Sequence, residues 1–168
     1  HQPPEPHIGN NETKCKPRVQ KTDRDWKNAG GSSLSFELDA RLARDTQPLI
    51  RLDLCDVRLL NDMRWPWLVL VPQRPDITEL FELTPLDQTM LTFEQMMVAT
   101  ALKQATGCVK INIAAIGNIV RQLHVHVIAR FEGDPNWPGP VWGYGKAEPY
   151  GAEAEQDFKR RFLEALQP

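Results

Sequence analysis

A long helical segment with clear start and stop signals divides this chain and constrains its fold more than any other feature. We predict a helix from Leu86 to about Thr106. Thr84 can cap its first turn, and Pro85 suits the first helical position because its φ angle is fixed. Gly107 can end the helix in a left-handed conformation. Apolar residues recur at intervals of three and four, which predicts one buried face formed by Met90, Phe93, Met97, Ala101 and Leu102.

Two segments before this helix have the patterns of strands. In PLIRLDLCDVRLLND, apolar and charged residues alternate through residues 49–54, which predicts one half-buried strand ending near Asn61 and Asp62. The segment WPWLVLVPQRP is continuously apolar between Pro66 and Pro72, a pattern typical of a central strand. The two segments are close enough in the chain to pair as antiparallel neighbours.

Two further strand segments follow the helix. They are CVKINIAAIG and RQLHVHVIARF, and the Gly117-Asn118 pair between them predicts a turn. Strands before and after one long helix predict an antiparallel sheet with the helix packed on one face, which is an α+β domain.

The two ends of the chain differ from this central part. Residues 1–32 are rich in Pro, Asn, Lys and Asp and have no sustained period, so we predict a flexible leader before a domain of residues 33–168. SFELDARLARDT predicts a short helix or an irregular edge. After Phe131, a loop rich in Pro, Gly and Trp is expected to be fixed against the domain, and AEAEQDFKRRFLEALQ predicts a closing amphipathic helix.

Composition argues against several classes of protein. The net charge of −2 does not favour nucleic-acid or anionic-membrane binding, and no apolar run approaches the roughly 18 residues needed to cross a bilayer. Cys15, Cys55 and Cys108 are odd in number and form no CxxC motif, so neither a disulfide framework nor a cysteine zinc site is predicted. We therefore expect a cytoplasmic protein without a membrane or nucleic-acid partner.

The strand segment RQLHVHVIARF groups its polar side chains on one face. Side chains alternate between the two faces of a strand, and neighbours on one face are about 6.6 Å apart. One face therefore carries Gln122, His124, His126, Ile128 and Arg130. The other face is apolar and is predicted to meet the helix through Leu123, Val125 and Val127.

Two histidines on one strand face are compatible with several functions. They can be solvent-facing residues without a function. They can be half of a metal site, whose third ligand would have to come from elsewhere, because the other histidines are His1 and His7. They can also act on phosphorus, because a neutral imidazole is a nucleophile and a second imidazole can neutralise phosphate oxygens and protonate a leaving group.

The segment KINIAAIGNIVRQLHVHVIAR, preceded by LLNDMRWPWLVLVPQR, resembles the histidine triad (HIT) superfamily. More narrowly, it resembles a bacterial HIT-like branch with the motif QxHxHxxxR, matched by Gln122, His124, His126 and Arg130. The similarity runs from about Ser35 to Gly143. It implies a HIT-like α+β fold, an antiparallel meander sheet with a long helix packed on one face, and a homodimer.

The resemblance also implies functions for single residues. His124 matches the nucleophile that takes the α-phosphate, and His126 matches the residue that contacts phosphate and helps the leaving group. Asn61, with Asp62, matches the position that holds the ribose hydroxyls, and Asn112 lies near the family's phosphate-contacting polar residue. No cofactor is required by the protein, although a divalent ion can accompany the substrate.

Two positions depart from the family pattern. Gln122 stands in place of the first triad histidine, and Trp67 replaces the histidine that usually precedes the apolar strand. A glutamine can donate and accept hydrogen bonds but cannot titrate. We assign Gln122 to the catalytic group with the two histidines. Arg130 is assigned to nucleotide binding, with an ion pair to an acidic neighbour as the alternative.

The resemblance therefore implies a nucleotide hydrolase or transferase. Its substrate would be a nucleoside phosphate, either a dinucleoside polyphosphate or a phosphoramidate, and its intermediate a nucleotidyl-histidine at His124. The alternative is a nucleotide-binding module that is catalytically weak or inactive, because Gln122 and Trp67 are compatible with both functions.

Overall fold

The computed structural model describes residues 35–167, which form a five-stranded antiparallel sheet with helices. The strands are β1 (Thr46–Arg51), β2 (Cys55–Leu60), β3 (Trp67–Pro72), β4 (Lys110–Ala114) and β5 (Val125–Arg130). Their order in the sheet is β1-β2-β3-β5-β4, so β5 lies between β3 and β4. The predicted α+β class is confirmed. The predicted leader, residues 1–32, lies outside the described residues.

Helices precede, interrupt and follow the strands. They are α1 (Ala40–Asp45), a short 3-10 helix (Leu80–Glu82), α2 (Pro85–Thr106) and α3 (Ala152–Leu166). The predicted ends of α2 are confirmed, because Thr84 Oγ1 accepts a hydrogen bond from the Asp87 N–H at 3.1 Å and Gly107 has a φ of 67°. Within residues 35–167, no helix is both long and apolar enough to span a membrane.

The prediction of one strand through residues 49–54 and on to Asn61 is wrong. This segment is a hairpin of β1 and β2, and in its turn the Leu52 N–H donates to the Cys55 carbonyl at 2.9 Å. The alternation of apolar and charged residues continues through the turn and therefore does not reveal the reversal. The predicted antiparallel pairing with the next apolar segment is confirmed by the β2–β3 ladder.

The predicted buried face of α2 is also partly wrong. Phe93 is 63% exposed, whereas Ala101 and Leu102 are buried as predicted. The remaining buried residues of the helix are Asp87, Leu91, Glu94 and Val98. The face was misplaced because a carboxylate, Glu94, lies in its centre. Its oxygens accept hydrogen bonds from two backbone N–H groups where the β1–β2 turn enters β2.

Both faces of the sheet are covered by apolar side chains. On one face α2 and α3 pack against the sheet, and the predicted apolar row of β5 belongs to this core, with Leu123, Val125 and Val127. On the opposite face a smaller cluster contains Leu42, Trp65, Trp67, Val69, Val71, Ile128 and Val141. Val141 belongs to the aromatic loop after β5, so this loop is fixed against the domain as predicted. The two histidines lie on this second face, where aromatic side chains of the cluster cover His126.

Candidate active site

The two histidines of the predicted site lie side by side at the start of β5. His124 directly precedes the strand and His126 is its second residue. Their side chains are only 7% and 8% exposed, and their ring centroids are 4.9 Å apart. The predicted placement on one face is therefore correct, but the rings are more enclosed than a row of solvent-facing residues would be.

His124 is held by the backbone two residues before it. Its Nδ1 lies 2.7 Å from the carbonyl oxygen of Gln122. A carbonyl oxygen only accepts hydrogen bonds, so Nδ1 carries the proton and donates. In a neutral imidazole the other nitrogen then has a free lone pair. Nε2 of His124 is therefore available as a nucleophile or as a proton acceptor.

His126 is enclosed by two indole rings. The Nε1–H group of Trp67, at the start of β3, donates to Nδ1 of His126 at 2.9 Å. The ring of Trp142 lies 5.4 Å from the His126 ring, centroid to centroid. Burial is the main cause that lowers the pKa of His126 to about 3, and the electrostatic effect of the neighbouring His124 is a smaller one. His126 is consequently a neutral imidazole at physiological pH.

The side chain of Gln122 binds another segment of the chain. Its Oε1 accepts a hydrogen bond from the Asp39 N–H at 2.9 Å, and its Nε2 donates to the Glu37 carbonyl at 2.8 Å. Gln122 therefore fastens the segment before α1 to the segment before β5. Its backbone carbonyl, and not its amide, is the group that contacts His124.

The segment fastened by Gln122 brings two charged residues near the site that no sequence pattern indicates. Asp39 caps α1 and pairs with Arg41 at 2.9 Å. The pKa of Asp39 is lowered to about 2, mainly by hydrogen bonds from the Arg41 side chain and backbone and least by the electrostatic effect of His124. Arg41 also donates to the Ile119 carbonyl at 3.0 Å. No local pattern could show that this segment lies beside the histidines, because its bonds to Ile119 and Gln122 join residues about 80 positions apart.

Arg130 and Asn112 lie together at the opposite end of β5 from the histidines. Arg130 is 1% exposed and binds Asp134 through two hydrogen bonds of 2.8 Å each. Its Nη1 also donates to Asn112 Oδ1 at 3.1 Å. The ion pair to an acidic neighbour, which the sequence left open for Arg130, is therefore formed.

Asn61 and Asp62 hold the loop that precedes α3. Asn61 Oδ1 accepts a hydrogen bond from the Tyr150 N–H at 2.9 Å, and Asp62 pairs with Arg64 at 2.7 Å and accepts from the Glu148 N–H. Burial acts to raise the pKa of Asp62, but the hydrogen bonds from Arg64 and from the backbone hold it below its ordinary value. Both side chains therefore fix the position of the loop that precedes α3.

Two cavities open beside the start of β5. One, of about 110 Å³, is lined by His124 together with Thr78, Glu79, Gly117 and Arg121, among others. The other, of about 470 Å³, is lined by Gln122 and by residues of the 35–37 and 75–78 segments. Sequence patterns identified the histidine but not the cavity, because its other polar residues lie in loops without periodicity. Across residues 35–167, no group of three or more His, Cys, Asp and Glu residues is placed to hold a metal ion.

The fold and the paired histidines are those of a histidine triad protein, and comparison with a known protein family confirms this class. Residues 41–133 match the family model of the HIT domain, so the chain belongs to the HIT family. Membership supports a nucleotide-binding or nucleotide-hydrolysing type of function. Among curated proteins, no match was found.

Solved structures of bacterial HIT proteins are similar over most of their length. A histidine triad protein of Sinorhizobium meliloti 1021 is 68% identical, with 77% of this chain and 96% of that chain covered and a TM-score of 0.77. One from Bradyrhizobium japonicum is 42% identical, with 79% and 99% covered and a TM-score of 0.78. One from Marinobacter aquaeolei VT8 is 44% identical, with 79% and 96% covered and a TM-score of 0.77.

Proposed function

We propose that this chain is a HIT-type nucleotide hydrolase or transferase that acts on a nucleoside phosphate through a nucleotidyl-His124 intermediate. The observation that carries the proposal is the hydrogen bond between Nδ1 of His124 and the Gln122 carbonyl. This bond orients the ring and leaves a lone pair on Nε2, which is the requirement for a nitrogen nucleophile. The cavity beside the ring gives a phosphate access to it.

The proposed reaction has two steps. In the first, Nε2 of His124 attacks the α-phosphorus, a P–N bond forms, and the bond from phosphorus to the leaving group breaks. In the second, water or another acceptor attacks the same phosphorus and loses its proton to solvent, the P–N bond breaks, and the nucleotide is released while the electron pair of that bond returns to Nε2 and His124 becomes neutral again. His126 contacts the phosphate oxygens, and Arg121 at the cavity wall can offset their negative charge.

The remaining residues assigned from the resemblance fit nucleotide binding to different degrees. Asn61 can donate through its amide NH₂ to a ribose hydroxyl while its Oδ1 keeps the Tyr150 contact. Asp62 is a carboxylate and can only accept from a ribose hydroxyl, and its oxygens already accept from Arg64 and from the Glu148 N–H. Arg130 and Asn112 use their polar groups on each other and on Asp134, which supports a structural function for both.

The proposal is tested by intact-protein mass spectrometry after incubation with an adenosine phosphoramidate or a dinucleoside polyphosphate. We expect a mass increase of one adenylyl group, or nucleotide release, in the wild-type protein and in a His7→Ala control. Both signals should vanish in a His124→Ala variant. An adduct that persists without His124 would contradict the assignment of the nucleophile.

A binding module without turnover is the second candidate, and the contacts of Gln122 and His126 favour it. The Gln122 amide is occupied by backbone groups, and the low pKa of His126 removes an imidazolium that could protonate a leaving group. Calorimetry with a panel of nucleotides separates the two functions. Tight reversible binding, without adduct or release for any nucleotide tested, would support the module and refute the enzyme.

We include a homodimer in the proposal because α2 and β4 expose apolar surface. Leu86, Phe93 and Met96 of α2 are 72%, 63% and 50% exposed, and within the described sheet one edge of β4 has no paired strand. Light scattering should report a dimer for the wild type and for a Phe81→Asp control, and a monomer for Phe93→Asp. A monomeric wild type would refute the homodimer.

We further propose a cytoplasmic location, consistent with the free, buried thiols of Cys55 and Cys108.

A further inference from the structure

The contact between Trp67 and His126 has a chemical consequence for the second histidine. Trp67 is buried in β3, where its Cα partner in β5 is Ile128, and its Nε1 lies 2.9 Å from Nδ1 of His126. An indole N–H can donate a hydrogen bond but cannot accept one. Nδ1 of His126 must therefore be the acceptor and carry no proton.

We infer that Trp67 is a positioning residue that fixes His126 as an Nε2–H hydrogen-bond donor, so that the site favours leaving groups that depart without receiving a proton. The inference rests on the proposed nucleotidyl-transfer function. The two adjacent rings then have opposite protonation patterns. His124 offers a lone pair on Nε2, because its Nδ1–H is bound to the Gln122 carbonyl, and His126 offers an N–H on Nε2.

An Nε2–H donor stabilises an oxygen of the transferring phosphoryl group but does not give up its proton. Proton transfer to a leaving group requires the imidazolium form, and burial keeps His126 neutral well below pH 7. Two other charged groups near the rings do not replace it. Asp39 is ionised because of Arg41, and arginine side chains do not serve as proton donors to a leaving group. Glu79 also lines the cavity, so its contribution needs a separate variant.

Substrates differ in their need for this proton. In a phosphoric anhydride, the P–O bond breaks and the electron pair leaves on a phosphate oxygen, which is stable as an anion because the second pKa of a phosphate monoester is about 6. In a phosphoramidate, the P–N bond breaks and the nitrogen must gain a proton to leave as a neutral amine. Of the two proposed substrate classes, the site therefore favours the dinucleoside polyphosphate.

The protonation state of His126 can be read directly by NMR, without any substrate. Two-bond ¹H–¹⁵N spectra, assigned with a His126→Phe variant, should show a proton on Nε2 and none on Nδ1 in the wild type. Trp67→Phe should mix the two tautomers. Trp142→Phe is the matched control, because the Trp142 ring also contacts His126 but its Nε1 has no hydrogen-bond partner among the described atoms. A wild-type proton on Nδ1 would overturn the inference, even if Trp67→Phe does not fold.

The leaving-group preference is measured with two substrates that share the same adenosine half. We expect kcat/KM for a dinucleoside polyphosphate to exceed that for an alkyl phosphoramidate by about 100-fold or more, the smaller end of what a positioned general acid contributes. In Trp67→Phe the ratio should narrow by about tenfold, because loss of one hydrogen bond to the neutral ring favours its protonation. Trp142→Phe should keep the ratio. Glu79→Gln should also keep the ratio, because the inference assigns no proton transfer to Glu79.

A wild-type enzyme that prefers the phosphoramidate, or a ratio that Trp67→Phe leaves unchanged, would refute the selectivity. Absence of turnover with both substrates would instead refute the proposed function. The NMR spectra would still decide whether Trp67 fixes the tautomer, so the two failures are distinguishable.

Discussion

Replacing Glu94 tests how strongly α2 is tied to the sheet. This carboxylate is 1% exposed, and its two oxygens accept hydrogen bonds from the N–H groups of Leu54 and Cys55 at 2.8 and 2.9 Å. A Glu94→Leu variant keeps the volume of the side chain roughly but leaves both N–H groups without an acceptor in a dry environment. Each such group costs about 1–3 kcal/mol, so the free energy of unfolding should fall by about 2–6 kcal/mol.

The size of this effect is large for a domain whose whole stability is expected to be about 5–15 kcal/mol. Glu94→Gln retains one carbonyl acceptor and should lose about half as much. Glu153→Leu makes the same chemical change at an exposed position of α3 and should cost less than about 0.5 kcal/mol.

Urea unfolding followed by circular dichroism measures the three variants. The midpoints should decrease in the order wild type and Glu153→Leu, then Glu94→Gln, then Glu94→Leu, with similar dependence on denaturant. If Glu94→Leu unfolds within about 1 kcal/mol of the wild type, the two backbone N–H groups are satisfied in another way, and the reasoning about the buried carboxylate is wrong.

Three further predictions concern the surroundings of the histidines. Gln122→Ala should increase hydrogen exchange and proteolysis selectively in residues 37–39, because it removes both side-chain bonds to that segment. Exchange in residues 37–39 that equals that of the wild type would contradict this prediction. Arg130→Met should lower stability by about 3–5 kcal/mol, since Asp134 is left as a buried, unpaired carboxylate, and an unchanged urea midpoint would disprove it. Stability should fall between about pH 6.5 and pH 3, where the unfolded chain protonates His126 but the folded protein does not. A His126→Phe variant should lose less stability between pH 6.5 and 4.5 than the wild type by about 2–3 kcal/mol, and equal losses would show that the folded histidine titrates normally.

Local rules predicted the parts of the fold that depend on neighbouring residues. The ends of α2 were predictable because Thr84, Pro85 and Gly107 act within one turn of the helix. The apolar face of β5 was predictable from strict alternation. The β1–β2 turn was not, because the three residues between the strands continue the same alternation. The buried side of α2 was missed because a carboxylate in a dry core is explained only by its partners, which are about 40 residues away.

The same limit applies to the candidate site. The pattern QxHxHxxxR identified both histidines, and the structure places them together. The bond from Trp67 to His126 spans 59 positions, and those from Gln122 span 83 and 85. No spacing rule reports such contacts. From the sequence, Trp67 is known only as the residue that replaces a family histidine. In the structure it donates a hydrogen bond to His126.

Gln122 also determines how far the chain can be shortened from its amino end. Its side chain binds the backbone at Glu37 and Asp39, and its own carbonyl binds the imidazole of His124. A chain trimmed to begin at residue 35 keeps every partner of this residue, whereas one trimmed to begin at Ala40 keeps only the imidazole. Truncation beyond Glu37 therefore threatens the orientation of the nucleophile before it removes any residue of the sheet.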